Sequence, residues 1–486
     1  MQGPAADRAP GFFLRGASAA NRVPTSAEPP RNAIFRISII PFPSKLSTIS
    51  QKYSQFLLKL RTRAQRFFRL SDSHTMLVWV VVVGVAGAAT AVFREGIEIL
   101  QRLLGNHSEG LVALARSLSL PMRVLLPAVG GLIAGFCLLI ARRRVSKNAS
   151  TDYTEAVTIG DGVVPVWQSF WRSLSSLITI SSGGSIGREG SMVQLATLAS
   201  SLIGRWVHFD PPRLRLLVAC GAAAGITSAY NAPIASAFFV TELVLGSMAM
   251  ESFGPIVVSS VVANITMREF AGYQPPYEMP VFPTVTGIEV LLFVVLGLLS
   301  GVLAPHFLRL LAASKKRFST LPLPLSARLA LGGLIVGVIS IWWPEVWGNG
   351  YEVVNSLLHE PWTWTALLTV LVFKIVATAA TAGSGAVGGI FTPTLFVGAV
   401  LGCLFGIGVH AIWPDSTSAP YAYAMVGMGA FLAAATHAPL MAILMIFEMT
   451  TLSYQVMLPL MLSCVIRLFH RTHVRADVDV RSHAAP

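Results

Sequence analysis

The chain has 486 residues, of which 53% are hydrophobic and only 12% charged, with a formal net charge of +13. Soluble domains carry about 25% charged residues, so an ordinary soluble fold is excluded. Apolar runs near the ~20 residues needed to cross a bilayer recur along the chain and define an all-α, polytopic integral membrane protein. The positive balance is not a nucleic-acid signal, because in residues 1–74 twelve Lys/Arg stand against Asp7, Glu28 and Asp72, with no nucleic-acid-binding pattern beside them.

In chain order, residues 1–74 read as a basic cytoplasmic tail. Its first part, 1–44, is rich in Pro, Arg, Ser and Ala and is expected to be disordered; an over-extended start site or a targeting peptide are the alternatives. Residues 45–70 have the pattern of a basic amphipathic helix lying on the membrane surface. The membrane domain is expected over 75–472, in halves of about 75–270 and 285–470, with a short cytoplasmic tail at 473–486. It contains the runs "MLVWVVVVGVAGAATAVF", "VLLPAVGGLIAGFCLLIA", "VLLFVVLGLLSGVLA" and "LTVLVFKIVATAATA". Basic clusters at 141–147, 205–215, 314–317 and 467–475 are expected to face the cytoplasm. Cys137, Cys220, Cys403 and Cys464 stand singly in apolar runs, a packing pattern rather than a disulfide framework or a metal site.

The chain repeats itself. "GAAAGITSAYNAPIASAFFVTEL" from Gly221 and "GMGAFLAAATHAPLMAILMIFEM" from Gly427 align at an offset of 206, which pairs Pro233 with Pro439, Asn231 with His437 and Glu242 with Glu448. "GGSIGREGS" and "SGAVGGIFT" align more weakly at an offset of 201, which sets Ile390 opposite Glu189 and Gly389 opposite Arg188. Two halves with Gly/Pro-interrupted apolar segments point to a transporter-type fold whose site lies between the repeats. Broken helices are tolerated in a membrane where their ends are buried or line a cavity.

A helix start offers free N–H groups and about half a positive charge. Several such starts in a low-dielectric cavity make an anion site without a lysine, which would hold the ion too firmly for it to leave. Both glycine runs lead into such starts, with Pro393 suited to a first helical turn. Residues shared by both halves, such as Glu242 and Glu448, read as scaffold. Glu189 enters only one half, and a carboxylate in a membrane interior is a functional candidate by default. At a helix start it competes with a permeant anion for the same seat, which makes it a gate.

These residues resemble those of the CLC chloride channels and chloride/proton exchangers. The likeness rests on "GREGS" at 187–191, "GGIFTP" at 388–393, the "GAAAG…NAP" stretch and Tyr454 in "SYQVMLP", and covers about residues 75–470. "TDYTEAV", "WGNGY" and "THAPLMA" are similar to a bacterial branch of that family. The resemblance implies two inverted-topology helical repeats with broken, partly non-spanning helices and a homodimer with one pore per subunit in a bacterial inner membrane; the basic clusters imply that both termini are cytoplasmic. The resemblance also implies chloride as the permeant ion. No sequence pattern suggests a metal or an organic cofactor, and with only a short tail after the last apolar run no C-terminal regulatory (CBS) domain is expected. Glu189 matches the gating glutamate. Gly187, Arg188 and Gly190 match backbone at the outer anion site, Ile390 and Phe391 match the central site, and Tyr454 matches the inner hydroxyl ligand.

Three departures qualify the match. The serine of the family's inner "GSGIP" loop falls at Ala149, with Ser150 adjacent, which leaves the hydroxyl donor open between Ser150 and the Ala149 backbone. The "AP" before "GGIF" is Ala386-Val387. Leu243 replaces the inner acid that exchangers carry directly after the Glu242 position. An aliphatic side chain carries no proton, which favours a glutamate-gated, voltage- or pH-dependent chloride channel; an antiporter with another proton path is the alternative. An electrical shunt in acid resistance is the role that the resemblance implies. A remote alternative draws Ser384 and His437 as an intramembrane protease dyad, but leaves Glu189, the duplicated helix starts and Tyr454 unused. Lys374, isolated in "LVFKIVA", is expected to pair locally or snorkel.

Overall fold

The computed structural model describes residues 72–469, apart from 88–89, 106–109, 144–151, 247, 272–276, 279, 284, 286 and 451–453. The expectations for the N-terminal tail up to residue 71, for 473–486, and for Ala149 and Ser150 lie outside the described residues.

The first half runs through α1 (Asp72–Gly87), α2 (Ala91–Gly105), α3 (Leu111–Ser117), α4 (Leu120–Arg142), α5 (Tyr153–Thr158), α6 (Val166–Ser181), α7 (Glu189–Val207), α8 (Pro211–Tyr230), α9 (Pro233–Phe239) and α10 (Met250–Ala271). The second runs through α11 (Gly287–Thr320), α12 (Leu325–Ile339), α13 (Tyr351–His359), α14 (Trp364–Gly383), α15 (Phe391–Ile412), α16 (Pro420–Thr436), α17 (Pro439–Met449) and α18 (Met457–Phe469). Six helical stretches among the described residues are long and apolar enough to cross a membrane, and several others, such as α12 and α17, are shorter. The protein is thus an all-α, polytopic membrane protein with short helices set among the spanning ones.

The repeat has a physical basis in helix punctuation. Pro233 and Pro439 open α9 and α17 in the first turn, where the missing N–H costs nothing. Asn231 and His437, paired by the repeat, end the preceding helices α8 and α16 in the left-handed conformation, at φ 57° and 60°. Their N–H groups return to the carbonyls of Thr227 and Ala433 at 2.8 and 3.0 Å. A left-handed non-glycine residue is uncommon, and asparagine and histidine tolerate it better than branched residues. The similarity of the two positions is therefore conformational.

Glu242 and Glu448 act across the repeat. The Glu448 carboxylate at the end of α17 accepts the N–H groups of Ile234 and Ala235 at 3.0 and 2.7 Å. Glu242, in the π-helical turn Val240–Leu245 that extends α9, accepts those of Leu440 and Met441 at 3.5 and 2.9 Å. Each carboxylate satisfies orphan amides at the start of the other half's helix, an interaction of about 1–2 kcal/mol. Because the end of each helix meets the start of the other, α9 and α17 run antiparallel. That is the relation inverted repeats require.

Close packing uses small residues. A side chain added at Gly398 of α15 would meet the Gly427 carbonyl of α16 at 2.5 Å, so only glycine lets these two helices approach. All four cysteines are buried and free, in keeping with a packing role.

Candidate anion site at paired helix starts

The two glycine runs are built alike. Helices α6 and α14 have Ser182 and Ser384 as their C-caps, and each cap is followed by a left-handed glycine, Gly183 at φ 99° and Gly385 at φ 101°. This helix stop is the common one, because glycine has no Cβ to clash. Each loop then turns back and opens a new helix, α7 at Glu189 and α15 at Phe391. Between them Gly187 and Gly389 form an isolated antiparallel bridge, with N–O distances of 2.8 and 2.9 Å. The structural offset is therefore 202, because Gly183 answers Gly385, Gly187 answers Gly389 and Glu189 answers Phe391. The sequence offset of 201, which sets Ile390 opposite Glu189, is one residue short. The glycine-rich strings align almost equally well in both registers, and only the bridge distinguishes them. The asymmetry survives, since one of two equivalent helix starts is acidic and the other is not.

Glu189 is 4% exposed. Its Oε1 accepts a hydrogen bond from the Tyr351 hydroxyl at 2.7 Å and a second from the Thr392 hydroxyl in the first turn of α15. Behind Thr392 the Tyr230 hydroxyl lies 2.9 Å from its Oγ1. The other oxygen, Oε2, has no hydrogen-bond partner among the described residues. It occupies the gap that the bridging glycines leave open: a Cβ on Gly187 would collide with it, and one on Gly389 would lie 3.3 Å away. Gly190 lies against the same bridge, where a Cβ would sit 3.2 Å from the Gly389 nitrogen. The Arg188 guanidinium stacks over the Tyr351 ring at 5.3 Å. Tyr277 meets that ring edge-on at 4.8 Å, and its buried hydroxyl has no partner among the described residues.

The loop carrying Tyr351 is fastened from behind. Lys374 is 1% exposed within α14, and its ammonium donates to the carbonyls of Val346, Trp347 and Gly348 at 2.9, 3.2 and 2.9 Å. It also lies over the Phe396 ring at 5.5 Å. A buried cation needs such partners; here it does not snorkel but binds the loop that precedes Tyr351.

The sequence-derived residues are thus partly united. Gly187, Glu189 and Gly190 meet the start of α15, where Ile390 is the N-cap and Phe391 the first helical residue, while the Arg188 side chain lies on Tyr351. The N–H of Gly187 is engaged by the bridge, so what it offers the site is the absence of a side chain. Phe391 packs against Tyr230 at 5.2 Å and Phe239 at 6.2 Å, while Ile390 is 39% exposed. Tyr454 opens a short 3-10 turn and is 74% exposed; no hydrogen bond among the described residues links it to Glu189, Thr392 or Tyr351. Leu243 is 38% exposed beside Glu242. Ser384 donates to the Thr381 carbonyl at 2.8 Å at the end of α14, and His437 caps α16. Tyr351, Thr392 and Tyr230 are the functional candidates that sequence reasoning missed. Two signals for them existed: Thr392 lies inside "GGIFTP", and Tyr351 follows the glycine turn of "WGNGY".

These features define a polytopic membrane protein in which two repeated helix starts meet around a buried carboxylate. Residues 130–468 match the family described as voltage gated chloride channel. The putative chloride channel protein ClcB-like of Ralstonia nicotianae is 55% identical over 395 residues, 80% of this chain and 92% of that protein. The voltage-gated ClC-type chloride channel ClcB of Escherichia coli is 39% identical over 418 residues, 85% of this chain and 99% of that one. The chain belongs to the voltage-gated chloride channel (CLC) family. Among solved structures, a slow cyanobacterial Cl-/H+ antiporter is similar with a TM-score of 0.71 and 25% identity, covering 81% of this chain and 93% of that one. A CLC-type fluoride/proton antiporter shares the fold with a TM-score of 0.62 and 22% identity, covering 82% and 95%.

Proposed function

We propose that the protein carries chloride across a bacterial inner membrane through a path gated by Glu189. The observation that carries this reading is the Glu189 carboxylate lodged between the first turns of α7 and α15, held by Thr392 and Tyr351. Two helix starts aimed at one point favour a negative charge, and the tethered carboxylate takes the seat a halide needs. Protonation or displacement of that carboxylate frees the seat, where the amides of Ile390 and Phe391 receive the anion. Gly187, Arg188 and Gly190 line its outer approach. Tyr454 and Ser150, or the Ala149 backbone, supply the inner ligands. The permeant anion is the only ligand this reading requires, and no cofactor enters it. Family membership supports a homodimer with one pore per subunit. The basic clusters support cytoplasmic termini, and an anion leak of this kind serves as an electrical shunt during acid resistance.

Leu243 beside Glu242 favours passive conduction, because the position carries no proton. A second reading, coupled chloride/proton exchange, is favoured by the similarity to a structure described as a Cl-/H+ antiporter. The reversal potential in a chloride gradient separates them. For a channel it stays at the chloride value as the pH gradient is varied; a shift with pH establishes coupling. The gate is tested by Glu189→Gln in proteoliposomes. Chloride efflux at neutral pH is expected to rise and to lose its pH dependence, and an unaltered pH response removes Glu189 from the gate.

A further inference from the structure

Two hydroxyls from distant parts of the chain converge on one carboxylate oxygen, and a third backs one of them. Tyr351 is 162 residues from Glu189 in sequence and Thr392 is 203. Tyr230 reaches Thr392 from α8, in the half that also carries Glu189. Each hydroxyl has a single proton. Thr392 gives its proton to Glu189, so its oxygen is the acceptor for Tyr230. Tyr351 gives its proton to the same Oε1. The carboxylate oxygen Oε1 therefore orients the group, and the group holds the carboxylate by that one oxygen only, leaving Oε2 toward the glycine bridge.

Tyr351 is also the one donor mounted on a braced loop. Lys374 ties the three carbonyls of 346–348, left-handed Gly348 and Gly350 turn the chain into α13, and the ring is held between Arg188 and Tyr277. If the ring served only to fill space, phenylalanine would suffice. The hydroxyl has a specific destination.

We propose that Tyr351 is a positioning residue that latches Glu189: with Thr392 it holds Oε1 in the anion seat, and its hydroxyl sets the fraction of time the path is closed. The proposal rests on the reading of Glu189 as the gate. Breaking one hydrogen bond to an ionised group shifts a closed–open balance by about tenfold.

The test is a double-mutant cycle of chloride efflux in proteoliposomes with wild type, Tyr351→Phe, Glu189→Ala and the double variant. Tyr351→Phe removes one oxygen and retains the ring contacts. It is expected to raise neutral-pH efflux about tenfold when Glu189 is present, and to change the already raised efflux of Glu189→Ala by less than about twofold, because interaction energies appear only between coupled partners. Thr392→Val, which removes the other donor, is expected to follow the same pattern and serves if Tyr351→Phe does not fold. An equal effect in both backgrounds assigns Tyr351 to packing and overturns the latch. Raised efflux in Glu189→Ala with no change in Tyr351→Phe overturns the latch while the gate stands. No rise in Glu189→Ala overturns the gate, and the latch with it.

Discussion

Gly187 and Gly389, one from each half of the chain, donate to and accept from each other through their backbones at 2.8 and 2.9 Å. This single bridge is the joint at which the two broken helices are aligned. Its position explains why the acid of α7 reaches the first turn of α15. The two glycines are not equivalent, however. A methyl on Gly187 would strike both the Gly389 carbonyl, at 2.9 Å, and Glu189 Oε2, whereas one on Gly389 meets nothing nearer than 3.3 Å. Gly187→Ala is expected to destabilise the protein by about 2 kcal/mol and to raise chloride leak by displacing the carboxylate. Gly389→Ala is expected to be milder on both counts. Thermal unfolding in detergent and proteoliposome efflux check the order, and a reversed order contradicts this account of the joint.

Lys374 supplies a second test. Lys374→Met keeps the apolar stem but leaves three buried carbonyls without their donor. Unsatisfied buried groups cost about 1–3 kcal/mol each, and partial relaxation of the loop brings the expected loss to about 3 kcal/mol. Because the loop ends at Tyr351, chloride efflux is expected to rise as well. An unchanged unfolding temperature would show that the clasp carries no load.

The crossed caps of α9 and α17 should also be unequal. Glu448 holds its two amides at 3.0 and 2.7 Å, and Glu242 holds its pair at 3.5 and 2.9 Å. Glu448→Ala is therefore expected to cost about 2 kcal/mol and Glu242→Ala about 1 kcal/mol, read as the order of unfolding temperatures. If Glu242→Ala proves the more damaging, its carboxylate has a role beyond capping.

Much of the architecture was legible because its causes are local. Apolar runs define spanning helices, Pro233 and Pro439 mark helix starts, and the isolated acid at 189 stands out against an apolar background. The pairing of Asn231 with His437 also showed in the repeat, although its meaning, a shared left-handed cap, needed the backbone angles. Leu243 could be read at once as lacking a proton.

Other features depend on contacts between residues far apart in the chain. The register of the glycine runs in the structure differs by one residue from that of the sequence alignment, since glycines align with glycines in more than one way and only the bridge chooses. Glu242 and Glu448 were read as scaffold, but the sequence held no sign that each caps the other's helix. The hydroxyls of Tyr351, Thr392 and Tyr230 carried no collective pattern, because their spacing follows no helical or strand period. Short-range chemistry alone accounts for the class of protein, the duplicated helix starts and the acid that breaks their symmetry, and so all three can be read along the chain. Which side chains hold that acid was decided only by tertiary structure, because a hydrogen bond requires atoms within about 3 Å and only the folded chain brings residues 189, 351 and 392 that close.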